Sequence, residues 1–213
     1  MERLFSLAIG YVFGLFQTGY IYGRLHNIDI REHGSGNAGT TNAMRTLGKK
    51  AGIITYIGDA LKTVLSAVVV HFLFGKDSGD MEFVLILYSG FGAILGHNFP
   101  FYLKFKGGKG IAASSGVIMT IFPFNLIIPF LELFTFVIVT AISKYVSLGS
   151  LCLMLALFIE FVVFGQLGMI NVGEQYLLEV YAIGAAMMVL AFVRHRTNIQ
   201  RLLSGTERKI GKK

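Results

Sequence analysis

The groups best suited to chemistry in this sequence lie in a glycine-rich polar stretch, residues 32–50, which reads EHGSGNAGTTNAMRTLGKK. Glycines allow backbone N–H groups to converge around an anion, and hydroxyl and amide side chains add further donors. Arg45 adds a planar, permanently charged guanidinium that suits phosphate or carboxylate oxygens. The stretch therefore predicts an anion-binding loop, and the alternative is a flexible polar turn between two membrane helices. The candidate ligand-binding residues are Gly34, Ser35, Gly36, Asn37, Thr41, Asn42 and Arg45.

A second candidate loop, residues 97–110, combines three lysines with glycines. Its glycines are similar to those of a P-loop, but the spacing G-x-x-x-x-G-K-[ST] is missing because Gly110 follows Lys109. We therefore expect this loop to contact an anion without being the nucleotide loop of an ATPase. Its candidate residues are Lys104, Lys106, Gly107, Gly108 and Lys109.

A third basic cluster, residues 194–201, begins where the last apolar block ends and includes His195 and Asn198. Basic residues at such a position often only orient a membrane protein or contact lipid headgroups. The added imidazole and amide favour a part in ligand binding. We expect positive groups from the three stretches to hold one or two phosphates.

Other kinds of catalytic chemistry find no support in the sequence. The nucleophile motif G-x-S-x-G is absent, the single Cys152 lies in an apolar block, and the five histidines are scattered. No close carboxylate pair accompanies the predicted loops, so we expect no metal and no cofactor. Catalysis would then depend on positioning and on stabilisation of charge.

The elements that position these residues are expected to be membrane helices. Hydrophobic residues make up 54% of the chain and charged residues 15%, against roughly a quarter charged in soluble domains. The long apolar run 111–142 exceeds one span, and Pro123 and Pro129 flank a natural break, so we divide it in two. The sequence predicts an all-α, polytopic helix bundle that forms a single domain over residues 1–213. Its seven predicted spans are 4–22, 51–74, 83–95, two within 111–142, 148–164 and 176–193.

The positions of lysine and arginine predict the orientation of the chain. Sixteen of the nineteen lie in loops after odd-numbered spans, in their flanks or in the C-terminal tail, residues 194–213. Positive residues favour the cytoplasm, so we expect the N-terminus outside and the C-terminus and the candidate loops inside. The net charge of +7 then indicates contact with anionic membrane lipids and not with nucleic acid.

Charged residues inside the spans keep other classes of function open. Asp59 and Lys62 are three residues apart on one helix face and can pair, either as a functional site or as a structural brace. With Glu132 they are the polar groups that a transporter of phosphorylated solutes would need, but the sequence lacks the internal repeat common in transporters. A structural lipid-binding protein would need the basic tail and not the glycine-rich loop.

The motifs, taken in order, resemble those of one family. They are Gly34-Ser35-Gly36-Asn37 with Thr41-Asn42 and Arg45; Asp59 with Lys62; Gly96-His97 with Phe105-Lys106-Gly107-Gly108-Lys109-Gly110; Tyr145-Val146-Ser147-Leu148-Gly149; Arg194-His195 with Asn198-Ile199-Gln200-Arg201; and Glu207 with Lys209. Their order is similar to that of the bacterial acyl-phosphate-dependent glycerol-3-phosphate acyltransferases, integral membrane enzymes that begin phospholipid synthesis. Ala38, Thr40 and Thr63 depart from residues common in that family, and these departures concern local packing.

The resemblance implies transfer of a fatty acyl group from acyl phosphate to the 1-hydroxyl of glycerol 3-phosphate, giving lysophosphatidic acid and phosphate without an acyl-enzyme. The residues implied to hold phosphate oxygens are Ser35, Asn37, Arg45 and Lys104. Those implied to orient the second substrate and the reacting carbonyl are His195 and Asn198, with Ser147 and Gly149. The residues with implied supporting roles are Asp59, Lys62, His97 and Glu207.

The resemblance also implies a location and a set of partners. It predicts a multi-pass protein of the bacterial cell membrane, with cytoplasmic active-site loops near 24–50, 97–110 and 143–149 and a cytoplasmic tail 194–213. The expected ligands are acyl phosphate, glycerol 3-phosphate and membrane lipids. We expect a monomer, with an acyl-phosphate-producing enzyme as a candidate partner.

Overall fold

The structure is a computed structural model that describes residues 1–210, so Lys212 and Lys213 of the predicted tail lie outside the described residues. The regular elements within residues 1–210 are all helical, which confirms the predicted all-α class. The α-helices are α1 Glu2–Gly14, α2 Thr18–Leu25, α3 Thr40–Leu47, α4 Lys49–Val70, α5 Lys76–Ser78, α6 Glu82–Asn98, α7 Ile111–Thr120, α8 Ile127–Ser143, α9 Val146–Gln166, α10 Leu177–Arg194 and α11 Arg196–Leu203. The chain divides into two compact units, the first ending at Thr120 and the second beginning at Ile121.

Close packing of α1 against α6 organises the first unit. Gly10 and Gly14 of α1 lie against backbone atoms of α6, and Gly92 and Gly96 of α6 lie against backbone atoms of α1. A Cβ on Gly92 would overlap the carbonyl oxygen of Leu7. Small residues allow membrane helices to approach this closely, and dispersion contacts between their backbones then hold them together.

The first apolar block, predicted as one span, is divided into α1 and α2 by residues 15–17. Gln17 is buried in this break, and its Nε2 donates hydrogen bonds to the carbonyl oxygens of Gly14 and His97, each at 3.1 Å. These bonds satisfy backbone acceptors that are left without partners where α1 and α6 end. Helix α2 leads from the break into the glycine-rich loop.

Helix α4 is the central element of the first unit because it packs against α1, α2, α3, α6 and α7. Gly52 of α4 makes room for the side chain of Met44 in α3, and Gly116 of α7 lies against the carbonyl of Ala60 in α4. The charged pair predicted in this helix therefore lies among neighbouring helices and not toward lipid.

In the second unit, α8 packs on α9 and α9 packs on α10. The predicted division of the run 111–142 is confirmed, since α7 ends at Thr120 and α8 begins at Ile127. Asn125 caps α8, because its Oδ1 accepts from the backbone N–H groups of Ile127 at 2.8 Å and Ile128 at 2.9 Å. Pro129 lies in the first turn, where a missing N–H costs nothing.

Within the described residues 1–210, four helical stretches are long and apolar enough to cross a membrane: Glu2–Leu25, Lys49–Leu103, Val146–Gln166 and Glu174–Arg194. The second of these contains both α4 and α6, and α7 and α8 are shorter apolar helices. Large apolar side chains such as Phe130 and Phe134 of α8 are exposed, as expected for helices that face lipid. The protein is thus an integral membrane helix bundle, while the seven crossings and the orientation of the termini stay predictions.

Candidate active site

The glycine-rich loop is held together by Asn42, which lies in the first turn of α3 and is almost wholly buried. Its Oδ1 accepts a hydrogen bond from the backbone N–H of Ser35 at 2.8 Å. Its Nδ2 donates to the carbonyl oxygens of Ile30 at 2.7 Å and His33 at 3.0 Å. The structure thus gives Asn42 a role in shaping the loop that carries Ser35, and its predicted role as a substrate ligand stays a prediction.

Most of the other candidates on this loop are exposed to solvent. Gly34 and Gly36 adopt φ values of 62° and 70°, the left-handed region that favours glycine. Asn37 is half-buried, and its Oδ1 accepts from the N–H of Gly39 at 2.9 Å, so Asn37 retains its Nδ2 donors for an anion. The exposed candidates are Gly34, Ser35, Gly36, Thr41 and Arg45.

The entry to the loop is fixed by an ion pair and a small apolar core. Arg31 donates from Nη2 to Asp29 Oδ2 at 2.7 Å and lies over the ring of Tyr20. The hydrogen bond from Arg31 lowers the pKa of Asp29 below its ordinary value of 3.8, and partial burial opposes this shift. The buried residues of the core are Ile30, Ala38, Ala43 and Ala51.

The second candidate loop folds back on the end of α6. The N–H groups of Gly107 and Gly108 donate to the carbonyl oxygens of Asn98 at 3.2 Å and His97 at 3.1 Å. Both glycines are buried, and a Cβ on Gly108 would overlap the His97 ring. The glycines at these two positions are therefore required by close approach to α6.

Residues 104–106 of this loop are exposed, and two of them have an unusual backbone conformation. Lys104 and Phe105 have φ values of 55° and 59°, a region that costs residues with a Cβ roughly 1 kcal/mol or more each. The hydrogen bond from Phe105 N–H to the Pro100 carbonyl at 3.0 Å holds this turn. Lys104 and Lys106 are exposed and Lys109 is half-buried. Strain at consecutive residues supports the prediction that Lys104 has a function, since such strain concentrates at functional sites.

Beneath the second loop lies a buried polar cluster of Asp59, Lys62 and His97. Lys62 Nζ lies 2.9 Å from Asp59 Oδ1, 2.9 Å from His97 Nδ1 and 2.6 Å from the carbonyl oxygen of Phe16. Thr18 Oγ1 also donates to Asp59 Oδ1, at 3.2 Å. The pairing of Asp59 with Lys62 predicted from their spacing is confirmed. The cluster joins α4, the α1–α2 break and the end of α6.

In the second unit, Glu207 binds two of the predicted site residues. Its Oε1 accepts from Ser147 Oγ at 3.1 Å and from Asn198 Nδ2 at 2.8 Å. Its Oε2 accepts from Arg201 Nε at 2.6 Å. Burial acts to raise the pKa of Glu207, but the hydrogen bonds from Arg201, Asn198 and Ser147 lower it below its ordinary value of 4.5. The carboxylate therefore stays ionised and fixes the orientation of its partners.

The segment after α11 closes this cluster over the α8–α9 turn. The N–H of Ile210 donates to the carbonyl oxygen of Lys144 at 2.8 Å, and Lys209 Nζ lies 5.5 Å from the centre of the Tyr145 ring. Gly149 is buried in the first turn of α9, where a Cβ would overlap Thr140 Oγ1. The glycine at this position is therefore required by the close packing of α9 on α8, and its predicted substrate contact stays a prediction.

His195 lies between α10 and α11 and is buried. Its Nδ1 is 2.8 Å from the carbonyl oxygen of Ala191, and a carbonyl only accepts, so Nδ1 carries a proton. In the neutral ring Nε2 is then the hydrogen-bond acceptor. This is the tautomer that a group receiving or orienting a hydroxyl proton needs.

Sequence reasoning missed two residues of the first unit. Gln17, which bonds to the His97 carbonyl, was read as part of an uninterrupted span, and only its polar side chain in an apolar block marked it. Asn98 is wholly buried beside Gly110 and was noted only as part of its loop. Within residues 1–210, no group of three or more His, Cys, Asp or Glu side chains is arranged to hold a metal ion.

Residues 4–205, which carry every candidate residue of the site except Glu207, match the family described as glycerol-3-phosphate acyltransferase. The chain belongs to this family. The resemblance inferred from the ordered motifs is confirmed.

Curated members of the glycerol-3-phosphate acyltransferase family match over nearly the whole chain. The glycerol-3-phosphate acyltransferase of Alkaliphilus metalliredigens is 41% identical, over 100% of this chain and 98% of the relative. That of Clostridioides difficile is 38% identical, over 96% of this chain and 94% of the relative.

A solved member of the family also has a similar fold. PlsY, described as an integral membrane glycerol 3-phosphate acyltransferase, matches in its glycerol 3-phosphate form with a TM-score of 0.81 and 30% identity, over 99% of this chain and 96% of that one. Its lysophosphatidic acid form matches with a TM-score of 0.79.

Proposed function

We propose that this glycerol-3-phosphate acyltransferase family member transfers a fatty acyl group from acyl phosphate to the 1-hydroxyl of glycerol 3-phosphate. The observation that carries the proposal is the family match over residues 4–205. The relative PlsY has been solved with glycerol 3-phosphate and with lysophosphatidic acid, which are the expected acceptor and product here. The acyl phosphate donor rests on the motif order alone.

The residues of the first unit have groups that suit phosphate oxygens. Ser35 is exposed on a loop that Asn42 holds in shape, Arg45 is exposed on α3, and Asn37 retains amide donors. Lys104 is exposed on a strained turn. These residues supply neutral donors and two positive charges, so they would bind a phosphate and stabilise charge that develops on it.

The residues of the second unit have groups that suit the remaining polar atoms of the substrates. His195 holds its Nδ1 proton toward Ala191, which supports acceptance of a hydrogen bond from the 1-hydroxyl at Nε2 and thus orientation of the acceptor. Ser147 donates its proton to Glu207, so its oxygen would accept a hydrogen bond from a substrate hydroxyl. We assign Asn198 and Gly149 to the same task of orienting the acceptor and the reacting carbonyl.

The reaction proceeds by direct transfer. The 1-hydroxyl oxygen attacks the acyl carbonyl carbon, a new C–O bond forms, and the bond between that carbon and the phosphate oxygen breaks. Phosphate leaves with the electron pair, and the hydroxyl proton ends on phosphate, so that no acyl-enzyme is formed. The mixed anhydride supplies the activation, which removes the need for a protein nucleophile.

The proposal extends to location and assembly. We infer one acyltransferase domain over residues 1–213 with seven crossings, the N-terminus outside and the active-site loops and tail in the cytoplasm of a bacterial cell. The acyl chain enters from the bilayer. The protein acts as a monomer and receives acyl phosphate from a separate producing enzyme.

The donor is tested by product analysis with purified protein in detergent. Isotope-labelled glycerol 3-phosphate is incubated with palmitoyl phosphate or palmitoyl coenzyme A, and lysophosphatidic acid is measured by mass spectrometry. We expect product with palmitoyl phosphate only. Product from the coenzyme A ester alone would refute the donor, and an intact-protein mass increased by one palmitoyl group during turnover would refute direct transfer.

A further inference from the structure

The three polar partners of Lys62 match the donors of a protonated amine. An ammonium group has three N–H donors and no acceptor. Its partners are the carbonyl oxygen of Phe16 at 2.6 Å, Asp59 Oδ1 at 2.9 Å and His97 Nδ1 at 2.9 Å. Asp59 gives the buried ammonium a counter-ion, which a charged lysine at this depth needs. The three donors are therefore matched by three acceptors.

This arrangement determines the tautomer of His97. With Lys62 as an ammonium, Nδ1 of His97 is the acceptor and carries no proton, so the neutral ring carries its proton on Nε2; the same Nδ1 lies farther from Asp59 Oδ1, at 3.6 Å. His97 is thus the reverse of His195, whose Nδ1 donates to a carbonyl. Loss of the Lys62 ammonium would let the ring exchange tautomers or rotate.

The His97 ring in turn lies under the second candidate loop, residues 97–110, which is called the basic loop below. A Cβ on Gly108 would overlap Nε2 of the ring, and a Cβ on Gly107 would overlap the His97 carbonyl oxygen. That carbonyl accepts from Gly108 N–H at 3.1 Å and from Gln17 Nε2 at 3.1 Å. The backbone that follows Lys104 and Lys106 is therefore seated on both the ring and the backbone of His97.

We propose that Lys62 is a positioning residue, which holds His97 as its Nε2–H tautomer so that the ring seats Gly107 and Gly108 and thereby sets the geometry of the basic loop. The kinetic consequence rests on the proposed function, whereas the tautomer does not. Lys62 itself does not contact a substrate. Its effect reaches the substrate through His97 and the loop.

The tautomer is tested directly by nitrogen NMR of histidine-labelled protein in lipid nanodiscs. The five histidines give separate ring signals, and those of His97 are identified by their loss in a His97→Gln variant. We expect Nδ1 of His97 to show no bound proton and Nε2 to show one. A proton on Nδ1 in the wild-type protein would overturn the proposal whether or not the protein has acyltransferase activity.

The consequence for the loop is tested with a double variant, Asp59→Asn with Lys62→Met, which removes both charges and leaves no buried unpaired ion. We expect His97 to give signals of both tautomers or of the Nδ1–H form. The KM for palmitoyl phosphate or the KM for glycerol 3-phosphate should rise about tenfold or more, with kcat within about threefold of wild type.

A matched control removes a polar contact between the same helices away from the loop. Ser89 Oγ donates to Ser66 Oγ at 2.9 Å, and both side chains are buried. Replacement of both by alanine leaves no unpaired group, so KM and the His97 signals should stay as in wild type. An equal rise in KM in this control, or an unchanged KM in the Asp59→Asn, Lys62→Met variant, would overturn the proposal and show that Lys62 only stabilises the helix packing.

A pair of His97 variants separates the two sides of the ring. Glutamine carries its amide near the position of Nε2, under the loop, whereas asparagine carries it near Nδ1 and Lys62. We expect His97→Gln to keep a lower KM than His97→Asn, by about threefold or more. The reverse order would contradict a role exerted through Nε2 and Gly108.

Discussion

Replacement of Glu207 by glutamine separates the charge of this residue from its shape. The carbonyl oxygen of glutamine can still accept from Ser147 and Asn198, as Oε1 does in the wild-type protein. The amide NH2 then faces Arg201 Nε–H, which now lies 2.6 Å from Oε2. Two donors oppose each other, so the variant loses the hydrogen bond from Arg201, and the bonds from Ser147 and Asn198 change from charge-assisted to neutral.

The expected losses follow from these contacts. A hydrogen bond to a charged group contributes about 1.5–3 kcal/mol, and the Arg201 side chain is 41% exposed, so we take about 1–2 kcal/mol after solvent screening. Arg201→Ala breaks the same bond and should cost the same. Glu207→Ala also leaves Ser147 and Asn198 without their acceptor, at about 1 kcal/mol or more each, so its total is about 3 kcal/mol or more.

The assay is thermal unfolding of the purified variants in detergent, together with the rate of lysophosphatidic acid formation. Glu174→Gln is the matched control, because Glu174 is an exposed glutamate in the same unit, and it should stay within about 0.5 kcal/mol of wild type. The order expected is Glu207→Ala well below Glu207→Gln, which equals Arg201→Ala. A Glu207→Ala variant no less stable than Glu207→Gln would show that Ser147 and Asn198 do not depend on Glu207 as their acceptor.

Three further predictions concern the first unit. Asn42→Asp is nearly isosteric but loses the donors to two carbonyl oxygens, so it should lower activity as much as Asn42→Ala, by about tenfold or more; an Asp variant with wild-type kcat/KM would contradict this. The folded protein lowers the pKa of Asp29, so the stabilisation by the Asp29 carboxylate is complete above the ordinary pKa of 3.8 and is lost as the pH falls through the lowered pKa. Asp29→Asn should therefore reduce the loss of stability at acid pH, measured by circular dichroism. An unchanged loss of stability at acid pH would refute the role of Arg31. Gly92→Ala should separate α1 from α6 and destabilise the protein by about 2 kcal/mol or more in detergent unfolding, and a neutral result would show that the helices pack less closely.

The sequence allowed the helical class and most helix positions to be predicted, because long apolar runs have few alternative folds in a membrane. The break between α7 and α8 was predictable from Pro123 and Pro129. The break between α1 and α2 was not, since it depends on Gln17 reaching the carbonyl of His97, 80 positions away in the chain. Local patterns carry no information on such a contact.

In the candidate site, likewise, the residue types were predictable from the sequence and the contacts between distant residues were not. Types and spacing identified Arg45, Ser35 and Lys104 as groups for anions, and these side chains are exposed. The same types predicted Asn42 as a ligand, and its burial and hydrogen bonds within the loop could not be predicted because they depend on the packing of α3 on α4. Ser147 and Glu207 were both singled out, but their hydrogen bond joins positions 60 apart and needed the fold.

Direct acyl transfer is tested by phosphate release from palmitoyl phosphate, with and without glycerol 3-phosphate. We expect release that requires both substrates, matches lysophosphatidic acid one to one, and falls at least about a hundredfold in Arg45→Ala. Lys50→Ala, which removes another exposed cation nearby in the chain, should keep near wild-type turnover. Folded protein that releases no phosphate, or releases it equally without glycerol 3-phosphate, would contradict acyl transfer to glycerol 3-phosphate.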